Sequence, residues 1–193
     1  AGVNDRLQLS HAEGLFQKFG KPDVGFAQHV GPSPTATLTY RAGIYNTASD
    51  SLEILFKGRG AHGSTPDVAI DPIVEAARFV EGVQTLISRE KEPNAFGVIS
   101  IGSIQAGSAP NIIPDQALVR GTIRTRDTAV RQKLLDGIAR TANGVAAMSA
   151  APAPDVKFIP GGKLLVNDDA VTARAAKVFK AAFGDRAAYE PAP

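Results

Sequence analysis

The residues best placed to do chemistry are few. The chain has three histidines, His11, His29 and His62, and no cysteine, so disulfides and thiolate metal sites are excluded. His62 lies in Lys57-Gly58-Arg59-Gly60-Ala61-His62-Gly63-Ser64-Thr65-Pro66, with Ile70-Asp71-Pro72 just beyond. Glycines adopt positive φ and admit another molecule to the backbone, so the spacing predicts a tight loop that presents the imidazole. The plain alternative is a solvated loop histidine. His29 ends a short apolar run, where a strand-end histidine can equally be satisfied by backbone. Asn111 sits in Pro110-Asn111-Ile112-Ile113-Pro114 and could simply cap that turn. Arg120 and Arg124 alternate with Thr122 on one face of a strand, two guanidinium groups suited to a carboxylate. No Asp-x-His, Cys-x-His or Glu-Glu pair occurs, so a complete two-metal site is not expected from these residues alone.

These groups need elements to hold them. Residues 51–58 alternate, with Leu52, Ile54 and Phe56 on one face. Pro72 suits a first helical turn, and the helix after it is expected to turn Ile73, Val74, Ala77, Val80, Val83 and Ile87 inward. Residues 95–104 read as a long β-branched strand. The Pro110–Pro114 turn leads into a third strand with Ala117, Val119, Gly121 and Ile123 sharing a face. Asp127 then caps a helix with Val130, Leu134, Ile138 and Val145 inward, and a strand follows at 156–159. The order is β-α-β-β-α-β, a ferredoxin-like sandwich with both helices on one face of an antiparallel sheet, hence an α+β class. Val24-Gly25-Phe26-Ala27 reads as a buried strand, Leu38 to Tyr40 as another, and Ala42 to Asp50 as a connector. Asn167-Asp168-Asp169 opens a helix over 171–183, with Val171, Ala175, Val178 and Phe183 inward and Gly184 as its stop.

Composition narrows the classes. Of 193 residues, 44% are hydrophobic and 21% charged, a globular balance and not a disordered one. The net charge of +2 gives no reason to expect a nucleic-acid partner. An RNA-binding β-α-β-β-α-β domain would stack bases on aromatics of its central strands, and the third strand has none. No apolar run approaches the ~20 residues of a membrane span, and the N-terminal residues lack signal-peptide order. A cytoplasmic protein without membrane contact is the expectation.

Four stretches, in order, resemble the M20 metallopeptidases, in particular their amidohydrolase branch of aminoacylases, hippurate hydrolases and auxin-conjugate hydrolases. They are Phe26-Ala27-Gln28-His29-Val30-Gly31-Pro32, the glycine-flanked His62 block with Asp71-Pro72, Gly107 to Asp115, and Gly121-Thr122-Ile123-Arg124. The resemblance implies a lid (dimerisation) domain over 51–160, inserted between catalytic-domain pieces at 1–50 and 161–193. It implies a parent that hydrolyses N-acyl or N-aminoacyl amino acids with two divalent metal ions, zinc, manganese or cobalt. It assigns His29 as a metal ligand, His62 as the lid histidine that stabilises the oxyanion in a partner subunit's site, Asn111 as a substrate contact, and Arg124 (or Arg120) as the carboxylate clamp. The Glu-Glu pair that relatives carry before the first helix is missing, and this chain alone is expected to be inactive. The rival reading is a non-catalytic dimerisation or small-molecule-binding module. A homodimer is expected through the strand at 95–104, left at a sheet edge without lysine or proline to shield it.

Overall fold

The computed structural model describes residues 14–31 and 33–190, so His11 and Pro32 lie outside the described residues. The chain divides into two compact units, one of Ser49–Gly161 and one of the residues on either side.

The central unit is built on strands β3 (Ala48–Lys57), β5 (Gly97–Ala106), β7 (Gln116–Thr125) and β8 (Asp155–Pro160). They form one sheet in the order β5-β7-β3-β8. β5 pairs antiparallel with β7, and β3 with β8. β3 and β7 also run antiparallel: the Gly58 N–H donates to Asp115 O at one end, and Arg120 meets Glu53 further along. Helix α2 (Pro72–Thr85) connects β3 to β5, and α3 (Thr128–Met148) connects β7 to β8; the short α1 (Leu15–Phe19) precedes them in the flanking unit. The expected element order is therefore present, with β5 and β8 at the edges.

Alternation in the strands decides where the core sits. Leu52, Ile54 and Phe56 of β3, Ile99 of β5, and Ala117, Val119 and Ile123 of β7 are buried on one face. Leu134, Ile138, Ala142 and Val145 of α3 cover them. Full burial of each large aliphatic or aromatic side chain contributes about 1.5–3 kcal/mol. The two helices approach closely: a Cβ on Gly82 would lie 3.3 Å from Thr141 Cγ2. Both helices start on an aspartate. Asp71 Oδ1 accepts from the N–H groups of Ile73 (2.8 Å) and Val74 (3.4 Å), and Asp127 Oδ1 from Ala129 (2.8 Å) and Val130 (2.9 Å). At the start of β3, buried Asp50 takes a bidentate pair from Arg131 at 2.6 and 2.7 Å, which raises the Arg131 pKa and pins α3 to the sheet.

Several expectations need correcting. The inward stripe of α2 is Pro72, Glu75, Ala76, Phe79 and Val83, while Ile73, Val74 and Ala77 are exposed. The helix carries two adjacent apolar stripes, and Phe79, its ring 5.7 Å from that of Phe56 and tilted 53° to it, decides which one faces the sheet. Residues 43–50 are not a connector: Gly43–Asn46 forms β2, and β3 begins at Ala48. Val24–Ala27 forms no strand, and Phe26 is exposed, because no described strand lies beside it to pair with.

In the flanking unit, β1 (Leu38–Tyr40) pairs in parallel with β10 (Ala187–Tyr189), and β2 pairs antiparallel with β9 (Leu165–Asn167). Helix α4 (Asp169–Phe183) starts on Asp168, whose carboxylate accepts from the Val171 N–H at 2.8 Å, and stops at Gly184 with φ 57°. Its anchor is Phe179, 5.8 Å from the Tyr40 ring, whereas Val178 and Phe183 are exposed. No described helix is long and apolar enough to cross a membrane.

One buried group is out of keeping with the core. Glu75 is fully buried, and neither carboxylate oxygen hydrogen-bonds to any described residue. Burial, then the nearby Asp71 charge, raises its pKa to about 7 against a partial offset from Arg78. The folded chain thus holds this proton more tightly than the unfolded chain, whose carboxyl titrates near 4.5. Stability is full below that value, falls as pH rises to about 7, and is lower by about 1–3 kcal/mol above it. Denaturant midpoints measured across this range should show the fall in the wild type and not in Glu75→Gln; an equal fall in both would mean another group is responsible.

Candidate functional site

The site residues begin where β3 leaves the sheet. Three contacts hold the departing chain. The Gly58 N–H donates to Asp115 O at 2.7 Å, the Gly60 N–H to Asp115 Oδ1 at 2.8 Å, and Arg59 exchanges backbone bonds with Ile70. The Arg59 Nε also donates to Val68 O at 2.7 Å, tying the loop to the 3₁₀ turn at Pro66–Val68. Gly58, Gly60 and Gly63 do not adopt the left-handed φ expected of them. Their role is close approach. A Cβ on Gly58 would run into Ile70 O and the Pro72 ring, and one on Gly60 would lie 2.9 Å from Ile113 O.

His62 is consequently not in an irregular loop. Ala61–His62 forms a two-residue strand, β4, antiparallel to β6 (Ile112–Ile113), with His62 opposite Ile112. The next amide, Gly63 N–H, donates to Asn111 O at 2.7 Å. His62 O accepts from the Thr65 N–H at 2.9 Å and the Thr65 hydroxyl at 3.1 Å. The backbone is thus fixed on both sides while the imidazole stands exposed. Its Nδ1 lies 2.6 Å from Ser64 Oγ.

His62 and Asn111 are brought together on this small ribbon. The Asn111 side chain is exposed and hydrogen-bonds to no described residue, so it does not cap the turn. Arg124 is not with them. It sits at the far end of β7, opposite Val98, with its guanidinium exposed and its Nη1 3.5 Å from Ile123 O. From Asp115, beside the ribbon, to Arg124 the strand runs roughly 30 Å at about 3.3 Å per residue. Arg120, between them, is engaged: its Nε meets Glu53 Oε1 at 2.7 Å and its Nη1 meets Gln105 Oε1 at 3.2 Å. Of the two arginines on this face, Arg124 is the one without a carboxylate partner among the described residues.

His29 belongs to the flanking unit. It is exposed in a stretch without regular secondary structure, its Nδ1 2.6 Å from Val30 O, and is not at a strand end. Among the described residues there is no group of three or more His, Asp or Glu placed to hold a metal ion. The sequence reading missed Asp115 and Ser64. Asp115 was visible only as the last residue of the Gly107–Asp115 stretch, since nothing local says its carboxylate reaches back to Gly60.

Comparison with known proteins agrees on one family. The family model for the M20 peptidase dimerisation domain matches residues 45–147. The chain is 34% identical over 171 residues to an N-acetylcysteine deacetylase of Bacillus subtilis, covering 87% of this chain and 42% of that protein. It is 34% identical over 175 residues to the hippurate hydrolase of Campylobacter jejuni, covering 90% and 45%. Among solved structures it resembles the Bacillus subtilis YXEP protein, described as a dinuclear metal binding peptidase from the M20 family. There the identity is 28% and the TM-score 0.64, over 96% of this chain and 46% of that one. The chain therefore spans less than half the length of these relatives.

Asp115→Ala removes the acceptor of the Gly60 N–H and should cost about 0.5–1.5 kcal/mol. Amide hydrogen exchange at Gly60 should accelerate while core amides of β7 keep their protection. Unchanged exchange at Gly60 would show that the carboxylate is not what holds the ribbon.

Proposed function

Because the chain belongs to the M20 peptidase family and carries its dimerisation domain, we propose that it is the lid-bearing part of a metal-dependent amidohydrolase acting on N-acyl amino acids. The substrate class is supported by the relatives' names, a deacetylase of N-acetylcysteine and a hydrolase of hippurate. It is also supported by Arg124, an exposed guanidinium suited to bidentate capture of a carboxylate. In this reading Arg124 anchors the amino-acid end of the substrate. Asn111 contacts the amide to be cleaved. His62 donates a hydrogen bond to the oxygen on which negative charge develops, a contribution that in related chemistry amounts to about 3–4 kcal/mol.

The single observation that carries this reading is the separation of the two ends. His62 and Asn111 share one end of the sheet, and Arg124 occupies the other. A small substrate cannot reach both within one chain. Two chains related by a two-fold axis can supply them, His62 and Asn111 from one and Arg124 from the other. The edge strand β5 is the proposed seam. Its outer side is unpaired in the sheet, and Val98 and Ile104 are exposed along it. A register shift between Ile101 and Ser103 bends the strand at Gly102, so pairing would be interrupted there.

Two divalent metal ions belong to this proposal for the whole protein, following the dinuclear description of the Bacillus subtilis structure. The described residues do not fit such a pair by themselves, since no ligand group is assembled among them. His29 is proposed as one ligand, the others coming from beyond these 193 residues.

The shared site predicts complementation. Full-length proteins carrying His62→Ala or Arg124→Ala should each be nearly inactive as pure dimers. After subunit exchange, half of the dimers are mixed and half of their sites are intact, so about a quarter of wild-type activity should return. Hydrolysis of an N-acetyl amino acid is the assay. No recovery despite mixed dimers on native mass spectrometry would place both residues in one chain's site.

A further inference from the structure

The bonds around His62 fix more than its position. The Ser64 backbone N–H points at His62 Nδ1 at 3.2 Å, and the Ser64 hydroxyl oxygen lies 2.6 Å from the same nitrogen. A backbone N–H can only donate. Nδ1 must therefore offer a lone pair in the neutral ring, and the ring proton then resides on Nε2. The hydroxyl, free to rotate, completes the arrangement by donating to Nδ1 as well. The ring is also held in orientation, because two donors from a residue two positions on converge on one side of it. On the other side Nε2 belongs to an exposed side chain and hydrogen-bonds to no described residue.

We propose that Ser64 is the positioning residue of His62, holding the imidazole as the neutral Nε2–H tautomer with that N–H directed away from the lid as a donor. This deepens the reading of His62 as the group that meets the developing oxyanion, and rests on it for its catalytic meaning; the tautomer itself does not. Three features make Ser64 suited to the task. It lies in the turn closed by the Thr65 N–H on His62 O, so its own amide is aimed back at the ring. Gly63, between the two, is bonded to Asn111 O and keeps the turn from opening. The Asp115 carboxylate holds the strand on the other side of His62 through Gly60. With the backbone fixed at three points, the two bonds from Ser64 are what restrain the torsions of the exposed side chain.

The test uses the 193-residue chain with ¹⁵N-labelled histidine, recorded by long-range ¹H–¹⁵N correlation at alkaline pH. In the wild type, Nε2 of His62 should resonate as a protonated, pyrrole-type nitrogen. Its Nδ1 should resonate as a pyridine-type nitrogen displaced toward the hydrogen-bonded side. Ser64→Ala should move Nδ1 toward the position of histidine in a short unstructured peptide, and Ser64→Thr should restore it. A protonated Nδ1 in the wild type, or an Nδ1 resonance indifferent to Ser64→Ala, overturns the proposal whatever the enzyme does. In the full-length protein Ser64→Ala should lower kcat about tenfold with KM and metal content unchanged, and Ser64→Thr should recover most of it. If instead His62→Ala leaves kcat intact while the resonances behave as stated, the oxyanion reading fails and the tautomer assignment stands.

Discussion

The organisation of this dimerisation domain depends on how one aspartate receives the end of β3. Asp115 gives its backbone oxygen to Gly58 and its carboxylate to Gly60. Those two bonds stop β3 from continuing and turn the chain into the β4–β6 ribbon. Because β3 and β7 run antiparallel, the place where β3 ends is also the place where β7 begins. His62 is therefore committed to the starting end of β7, and Arg124, near its finish, to the opposite end. The distance between the two groups follows from strand geometry and not from loop conformation.

The domain's sheet leaves two edges, β5 and β8, and exposed Val98 and Ile104 make the β5 edge partly apolar. A sheet with helices on one face and charge pairs on the other still leaves rows of N–H and C=O groups at its margins. On the outer face, Glu53–Arg120 at 2.7 Å and Lys57–Asp155 at 2.6 Å keep the surface polar. Exposed ion pairs of this kind contribute little stability, but they make that face a poor place for self-association. The margin along β5 has no such pair, and Ile73 and Val74 are exposed on the helix that connects β3 to β5. The apolar residues that look misplaced in a single chain are consistent with a face that a second copy covers.

Much of this was legible in the residues, for identifiable reasons. Strict alternation over 116–125, Pro72 in a first helical turn and the capping Asp127 are local signals, and they located β7, α2 and α3. What was not legible depended on partners distant in the chain. The face of α2 that turns inward is chosen by Phe79 meeting Phe56, and the stripe containing Ile73 and Val74 is no less apolar. Glu75 on the inward face breaks the pattern a sequence reading relies on. The run Val24–Ala27 is as apolar as many strands, yet a strand exists only where a neighbour offers a ladder. Within the site, His62, Asn111 and Arg124 were visible as residue types in a recognisable order. Their division between two ends of one sheet was not, because it depends on the antiparallel pairing of β3 with β7.

The central claim is that one chain holds two half-sites and that a second copy, docked along β5, completes each. Sedimentation equilibrium of the 193-residue chain at tens of micromolar, with a Val98→Lys/Ile104→Lys variant beside it, tests this most directly. The account predicts twice the single-chain mass for the wild type and the single-chain mass for the variant, since lysines on an edge strand oppose pairing. A wild type that sediments as a single chain at that concentration, or a variant that stays dimeric, would contradict it.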